Sequence, residues 1–101
     1  MIYHILASDE WKSASRNEYY SPDSFGVDGF IHCCTEEQLE YVGERHFRGR
    51  QGLVILCIEE GALMAPVKYE DLNGEGMLFP HVYGPINTGA VRNVTFTIPS
   101  S

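Results

Sequence analysis

Apolar and polar positions alternate, or apolar positions run together, in six short segments of the chain, as is typical of β-strands. The first segment is β-branched at Ile2 and Ile5, and the third is apolar throughout, which indicates an interior strand. The fifth contains Pro80, which cannot donate to a sheet ladder and therefore predicts an edge strand or a bulge. The six predicted strands are 1–6, 29–34, 53–58, 67–70, 78–83 and 92–98.

One segment, 35–48, has apolar residues at helical spacing and is the predicted main helix. Thr35 followed by Gln38 has the spacing of a capping box at its start. A short helix is predicted after Ser8, which offers a cap before two acidic residues, and 60–64 predicts one helical turn. The glycine- and proline-containing stretches predict loops or turns at 17–29, 49–52 and 71–77.

These elements predict an α+β fold with a mixed or antiparallel sheet of about six strands, one main helix and one or two short helices. A chain of 101 residues fits a single domain spanning 1–101, with 99–101 as a flexible tail. The net charge of −7 repels phosphate backbones, which disfavours bulk nucleic acid as a partner. No apolar run approaches the roughly 18 to 20 residues that a membrane helix needs, so no membrane association is expected.

The cysteines indicate a reducing compartment. Cys33, Cys34 and Cys57 are odd in number and two of them are adjacent, which is a poor arrangement for disulfide pairing. The first residues lack the basic start and apolar stretch of a signal peptide. We therefore expect free, buried thiols and a cytoplasmic protein.

Three of the four histidines fall in predicted strands, among apolar neighbours. Because side chains alternate between the faces of a strand, His32 shares a face with Cys34. A histidine in such surroundings needs a hydrogen-bond partner or a ligand. We therefore predict that His4, His32 and His81 line a single ligand pocket, while His46 on the main helix lies at the surface or boundary.

Two chemistries that use cysteine remain open as alternatives. His32, Cys34 and His81 are the right donors for a three-ligand zinc site, although no CxxC or HxxxH spacing accompanies them and no metal is expected. Cys34 beside a histidine could also ionise and act as a nucleophile.

A nucleotide or NAD site is the third interpretation. In such a site histidines bind ribose hydroxyls or phosphates, and aromatic residues such as Trp11 and Tyr20 supply stacking surface. Glu70, at the end of a predicted strand, is the best-placed carboxylate for orienting a ribose hydroxyl. Arg92 begins the last strand and could meet a phosphate. The helix start at Thr35 offers backbone N–H groups for the same purpose.

The order of several short motifs is similar to that of a known family. The motifs are Tyr3-His4-Ile5, Trp11 with Ala14, Gly29-Phe30-Ile31-His32-Cys33 before the helix that carries Gln38, Val67-Lys68-Tyr69-Glu70, and Phe79-Pro80-His81-Val82-Tyr83-Gly84-Pro85-Ile86. They resemble the small bacterial family called domain of unknown function 952, and the resemblance covers nearly the whole chain.

That family in turn resembles a compact, split-sheet member of the ADP-ribosyltransferase fold. Tyr3-His4 is similar to the Tyr-His-Gly-Thr strand of tRNA 2′-phosphotransferases and diphtheria-toxin-like enzymes, in which the histidine binds the NAD ribose. The strand ending in Cys34 is similar to their Val-His-Leu-Ser segment. Ile5 replaces the glycine and Cys34 the serine, and no Glu-x-Glu or Gln-x-Glu motif is present. The resemblance implies NAD as the candidate cofactor.

Three hypotheses for the function follow. In the first, an enzyme acts on NAD, ADP-ribose or a phosphorylated ribose by transfer-like chemistry. His4 and His32 then bind the ribose or phosphate, His81 and Tyr83 shape the reacting end, and Glu70 stabilises or orients it. The second is a non-catalytic module that binds a small molecule, and the third is a structural domain with core histidines that do not converge. The expected partner is a small nucleotide-like ligand, and the expected state is a monomer or weak homodimer.

Overall fold

Antiparallel pairing joins the strands of the computed structural model, which describes residues 1–96. The strands in that range are β1 (Ile2–Ala7), β2 (Tyr19–Tyr20), β3 (Ile31–His32), β4 (Leu53–Ile58), β5 (Val67–Glu70), β6 (Phe79–Val82), β7 (Ile86–Asn87) and β8 (Val91–Thr95). The helices are α1 (Ser8–Ala14), α2 (Phe25–Asp28) and α3 (Leu39–His46), and single 3-10 turns occupy Glu36–Gln38, Glu60–Ala62 and Thr88–Ala90. The α+β class is therefore confirmed.

The sheet is split into parts that meet near the start of the chain. One part has the order β1-β4-β8, another has the order β3-β6-β5, and β2 pairs with β7. The first two parts are bridged where the N–H of Tyr3 donates to the carbonyl of Cys34 at 2.7 Å and the N–H of Cys34 donates back at 2.8 Å. This bridge places His4, the next residue of β1, beside the end of β3.

The predicted strands agree best with the observed strands where the pattern of apolar residues is strongest. β4 and β5 coincide with the predictions 53–58 and 67–70. β3 keeps regular pairing only over Ile31–His32, because Pro80 has no N–H to donate to Cys33 and Cys34 bridges to β1. The short strand β7 was not predicted. Of the last predicted strand, positions 97 and 98 lie outside the described residues, as does the predicted tail.

Pro80 corrects the prediction of an edge strand. It lies in β6, the central strand between β3 and β5, and it is buried. Its carbonyl accepts from the N–H of Cys33 at 3.1 Å, so the side without an N–H faces β3. Because the regular pairing of β3 ends at His32, the missing donor falls just beyond that ladder. A proline is tolerated there without an edge.

The predicted loop 17–29 is partly ordered secondary structure. It contains β2, whose Tyr20 pairs with Ile86, and the single-turn helix α2. α2 is capped at its C-terminus by Gly29, which has a φ of 81° that favours glycine. The predicted helix 35–48 divides into a 3-10 turn and α3, and the side chain of Gln38 accepts from the backbone N–H of Thr35 at 2.9 Å, as the capping spacing indicates.

Two buried clusters hold the sheet parts together. The larger includes Leu56, Ile58, Val82 and Ile86, each with no exposed surface. The smaller surrounds Leu39 of α3 and contains the following buried residues: Tyr3, Cys34, Ile55 and Cys57. No helix within residues 1–96 is long and apolar enough to cross a membrane.

Candidate functional site

All four histidines of the chain line one cavity of about 420 Å³. They come from four elements, because β1 carries His4, β3 carries His32, α3 ends at His46 and β6 carries His81. The remaining wall is largely apolar and aromatic, including Phe30, Phe47, Phe79, Ile5 and Val42. A concave, mainly apolar site with a few converging polar groups is the usual form of a small-molecule site.

His4 is held by a hydrogen bond at Nδ1 and by a polar contact at Nε2. Its Nδ1 lies 2.7 Å from the backbone carbonyl oxygen of His32, which can only accept, so Nδ1 carries a proton. Its Nε2 lies 3.3 Å from the hydroxyl of Tyr20, and that hydroxyl donates to Oε2 of Glu10 at 2.7 Å. The chain of contacts from Glu10 to His4 connects the surface with the cavity wall.

Burial decides the charge of His4. The side chain is 8 % exposed, and desolvation lowers its pKa below the ordinary 6.5, against smaller opposing effects of the hydrogen bond to His32 and the charge of Glu10. Burial, together with the hydrogen bond to Glu10, also raises the pKa of Tyr20. At neutral pH His4 is therefore a neutral imidazole, and Tyr20 keeps its proton.

His81 is oriented by a carboxylate. Its Nδ1 lies 3.0 Å from Oε1 of Glu70, and the hydroxyl of Tyr83 donates to the same oxygen at 2.5 Å. Because the carboxylate is ionised and accepts, Nδ1 of His81 is its protonated nitrogen. The hydrogen bonds from Tyr83 and then His81 lower the pKa of Glu70, and the bond to Glu70 raises the pKa of Tyr83.

This arrangement changes the role expected for Glu70 and Tyr83. Both contact His81 or its partner rather than lining the cavity. Glu70 therefore fixes the ring and the proton of His81 from outside the cavity wall.

His32, like His81, is bonded to a carboxylate, and the sequence patterns did not indicate this partner. Its Nε2 lies 3.0 Å from Oδ2 of Asp28, the last residue of α2, and its side chain is 53 % exposed. Phe30 packs against His32 and His81, the two cavity histidines of the β3-β6-β5 sheet. The centroid of its ring lies 4.7 Å from that of His32 and 4.2 Å from that of His81. The stacking fixes the two rings relative to each other.

The cysteine chemistries find little support in the site. Cys34 lines the cavity but is 2 % exposed, and burial raises the pKa of its thiol to about 12. A thiol of that pKa is not a nucleophile at neutral pH. No group of three His, Cys, Asp or Glu side chains within residues 1–96 is arranged to hold a metal ion. Cys33 and Cys57 are likewise free and buried.

Three predicted ligand-binding residues lie outside the cavity wall. Trp11 packs edge-on against Tyr20, with ring centroids 6.4 Å apart, and so supports the wall from behind. Thr35 begins a 3-10 turn whose first residues are acidic, which does not suit an anion. Arg92 is engaged by Glu59 at 3.0 Å. These three residues do not line the cavity, and their contact with a ligand stays a prediction.

Conversely, the sequence patterns missed two basic residues at the cavity. His46 was predicted to have no part in the site, and Arg50 was not singled out, yet both line it. The guanidinium of Arg50 lies 5.1 Å from the centre of the Phe47 ring. Among residues 1–96 no carboxylate pairs with Arg50, whereas Arg45, Arg48 and Arg92 each have one. Helical spacing could not have indicated Arg50, because α3 ends at His46 and the chain turns at Gly49, which has a φ of 77°.

Comparisons with known proteins identify the family and the fold. A family model described as "Protein of unknown function (DUF952)" matches residues 5–94. The crystal structure of protein CC0527 from Caulobacter crescentus is similar, with 34% sequence identity, 93% of this chain and 82% of that chain covered, and a TM-score of 0.82. The solution NMR structure of the same protein has 33% identity, covers 94% and 82% of the two chains, and has a TM-score of 0.80. No curated protein matches this chain.

Proposed function

The chain belongs to the DUF952 family, and we propose that its four-histidine cavity binds a small phosphorylated ribose. The observation that carries the proposal is the convergence of all four imidazoles and Arg50 on one cavity, in a chain whose net charge is −7. His4 is neutral, and the two carboxylates of the lining, Glu10 and Glu75, are bonded to Tyr20 and Arg45. Arg50 and the other three imidazoles therefore favour a localised anion on this otherwise acidic molecule. Phosphate is the anion that suits such donors in a partly apolar pocket.

The aromatic wall supports a ring-bearing ligand. Phe47 and Phe79 line the cavity from different elements, and Tyr41 stacks on Phe79 with ring centroids 6.4 Å apart. Neutral His4 offers its Nε2 as a hydrogen-bond acceptor, which suits a sugar hydroxyl. The positions of His4 and His32 thus support the ribose-binding roles implied by the resemblance to ADP-ribosyltransferases.

The size and shape of the cavity favour ADP-ribose fragments or 2′-phosphorylated nucleotides over NAD. Ligand pockets span roughly 300–1,000 Å³, and this one lies near the small end, so NAD would extend beyond it. Ile5 lines the cavity where the resembling enzymes have glycine, and its branched side chain takes up space there. We therefore propose that NAD binds the most weakly of these three ligands.

A binding module without turnover is the second candidate, and the position of Glu70 favours it. The predicted carboxylate contacts His81 and Tyr83 instead of the cavity, so it cannot stabilise a reacting ribose directly. Under this alternative Glu70→Gln leaves ligand affinity nearly unchanged, and no ligand is converted.

Calorimetry with a matched pair of arginine variants tests the proposal. Nucleoside 2′-monophosphate, ADP-ribose and NAD are titrated into the wild type, Arg50→Gln and Arg48→Gln. Arg50 lines the cavity, whereas Arg48 pairs with Glu44 outside it, so both variants remove one exposed charge but only one removes it from the site. We expect Arg50→Gln to weaken the binding of phosphorylated ligands by at least about tenfold, since a charged hydrogen bond contributes about 1.5–3 kcal/mol.

The unphosphorylated nucleoside serves as the ligand control. Its affinity should be the same in both variants, because it has no phosphate for Arg50 to bind. Absence of binding by all phosphorylated ligands, or equal weakening by Arg48→Gln, would contradict the proposal.

A further inference from the structure

His32 and His81 form a matched pair across adjacent strands. They are direct partners in the pairing of β3 with β6, and their ring centroids are 5.5 Å apart. Each has a carboxylate on one ring nitrogen at 3.0 Å, Asp28 for His32 and Glu70 for His81. Because a carboxylate accepts, the bonded nitrogen of each ring carries a proton, and the opposite nitrogen is the one left to exchange a proton with a ligand.

Those opposite nitrogens are Nδ1 of His32 and Nε2 of His81. Neither has a hydrogen-bond partner within residues 1–96, and both rings line the cavity. Phe30 stacks on His81 with an interplanar angle of 25° and packs tilted against His32, so the rings do not turn independently. The pair is therefore oriented before a ligand enters.

We propose that His32 and His81 are a general acid–base pair that hydrolyses a ribose 2′,3′-cyclic phosphate. The inference rests on the proposed function, since it requires a phosphorylated ribose in the cavity. Two imidazoles near neutrality can hold one proton between them, one ring acting as base while the other acts as acid. The buried thiol of Cys34 leaves water as the nucleophile.

The reaction balances with water as its only co-reactant. The neutral imidazole takes a proton from water as the water oxygen forms a bond to phosphorus. The bond from phosphorus to one ribose oxygen breaks, and the protonated imidazole gives its proton to that oxygen. The product is a ribose phosphomonoester, and the two histidines end with their protonation states exchanged.

Hydrolysis of a cyclic phosphate fits this histidine pair better than cleavage of a glycosidic bond does. Glycosidic bonds are usually broken by two carboxylates that both face the substrate. Here the carboxylates Asp28 and Glu70 each contact an imidazole instead. The small cavity and the charge of −7 also favour a cyclic mononucleotide over a polymer.

Several charged groups surround the pair and shape its pH profile. Glu70 and Tyr83 face His81 from β5 and from just beyond β6, and the ammonium of Lys68 lies 5.1 Å from the centre of the Tyr83 ring. Asp28 faces His32 from α2. Because one ring acts as base while the other acts as acid, a bell-shaped rate profile reports the pair rather than either residue.

Phosphorus NMR of adenosine 2′,3′-cyclic phosphate tests the proposal. The wild type should release the monophosphate with a rate that falls on both sides of a maximum in pH. His32→Gln and His81→Gln should each lower that rate by at least about 100-fold, the effect of losing a general acid or base. Arg48→Gln, outside the cavity, should keep the wild-type rate.

Binding is measured separately, by calorimetry with the product adenosine 2′-monophosphate. Binding without hydrolysis would overturn the acid–base pair and leave the proposed function standing, whereas absence of binding by this and every other phosphorylated ligand would overturn both. His81 is buried and its variant risks misfolding, so His32→Gln, at a half-exposed position, is decisive. A wild-type rate in folded His32→Gln would also overturn the proposal.

Discussion

Nδ1 of His4 lies 2.7 Å from the backbone carbonyl oxygen of His32, so one cavity histidine holds the strand that carries another. His4 is on β1 and His32 is on β3, which belong to different parts of the split sheet. The contact lies next to the Tyr3–Cys34 bridge that joins those parts. The cavity and the junction of the sheets are therefore one structure, and changes at His4 affect both.

His4→Gln should destabilise the fold. A buried carbonyl that loses its donor costs about 1–3 kcal/mol, and the Tyr20 hydroxyl loses a neighbour as well. Urea unfolding measures the difference in free energy. His46→Gln, at an exposed position, is the control and should stay within about 0.5 kcal/mol of the wild type. Equal stability of the two variants would show that the His4–His32 bond does not support the junction.

The stability should fall as the pH drops below the ordinary pKa of histidine. Burial lowers the pKa of folded His4 below 6.5, so the unfolded chain binds the proton more readily than the folded one. The contribution of His4 is complete above pH 6.5 and is lost as the pH falls towards the folded pKa.

Unfolding free energies at pH 8 and pH 5.5 measure this loss in the wild type and in His4→Gln. For one group, the free energy of unfolding cannot change by more than about 1.4 kcal/mol per pH unit. The total change between the two pH values should be smaller in His4→Gln than in the wild type. The same pH dependence in both proteins would mean that other groups cause it.

Tyr83→Phe should raise the pKa of Glu70. The hydroxyl of Tyr83 is the first cause of the lowered Glu70 pKa, ahead of His81. Because the folded pKa lies below the ordinary value of 4.5, Glu70 contributes stability above that pH, which is lost as the pH falls through the folded pKa. The variant should lose less stability on acidification.

NMR titration of the Glu70 carboxyl checks this expectation. Tyr69→Phe, on the same strand as Glu70, is the matched control. It removes the 2.6 Å hydrogen bond from Tyr69 to Glu60 and leaves Glu70 its own partners. If the Glu70 pKa shifted in Tyr69→Phe but not in Tyr83→Phe, the hydrogen bond from Tyr83 would not be what lowers it.

All three thiols should react slowly in the native protein. Cys33, Cys34 and Cys57 are buried, and burial raises the pKa of each. Titration with a disulfide reagent at pH 7 should detect three thiols promptly in denaturant and almost none before unfolding. One promptly reacting native thiol would restore the nucleophilic interpretation of Cys34.

Gly84→Ala should be destabilising because a Cβ at that position lies 2.8 Å from the Cβ of Ala65. Overpacking of this kind costs about 1–3 kcal/mol. Gly89→Ala is the control, since no atom lies within 4 Å of its added Cβ. Thermal unfolding of both variants measures the difference, and an unchanged Gly84→Ala would mean that the contact relaxes freely.

Local patterns predicted what depends on neighbours along the chain. The continuous apolar run of β4 and the Thr35–Gln38 spacing are of this kind, and both appear in the structure. The edge position predicted for Pro80 was wrong because a missing N–H matters only on the side where a partner strand continues. Whether β3 continues opposite Pro80 depends on the pairing of β3 with β6, which is a tertiary property.

The sequence by itself determined that histidines lie on three strands among apolar residues, and that the thiols are free. Only the tertiary structure decided that His46 and Arg50 join them, that Glu70 supports His81 from outside the cavity, and that Arg92 lies elsewhere. The reason is physical. Periodicity specifies the face of an element on which a side chain lies, whereas its partner depends on which strands pair and in what register.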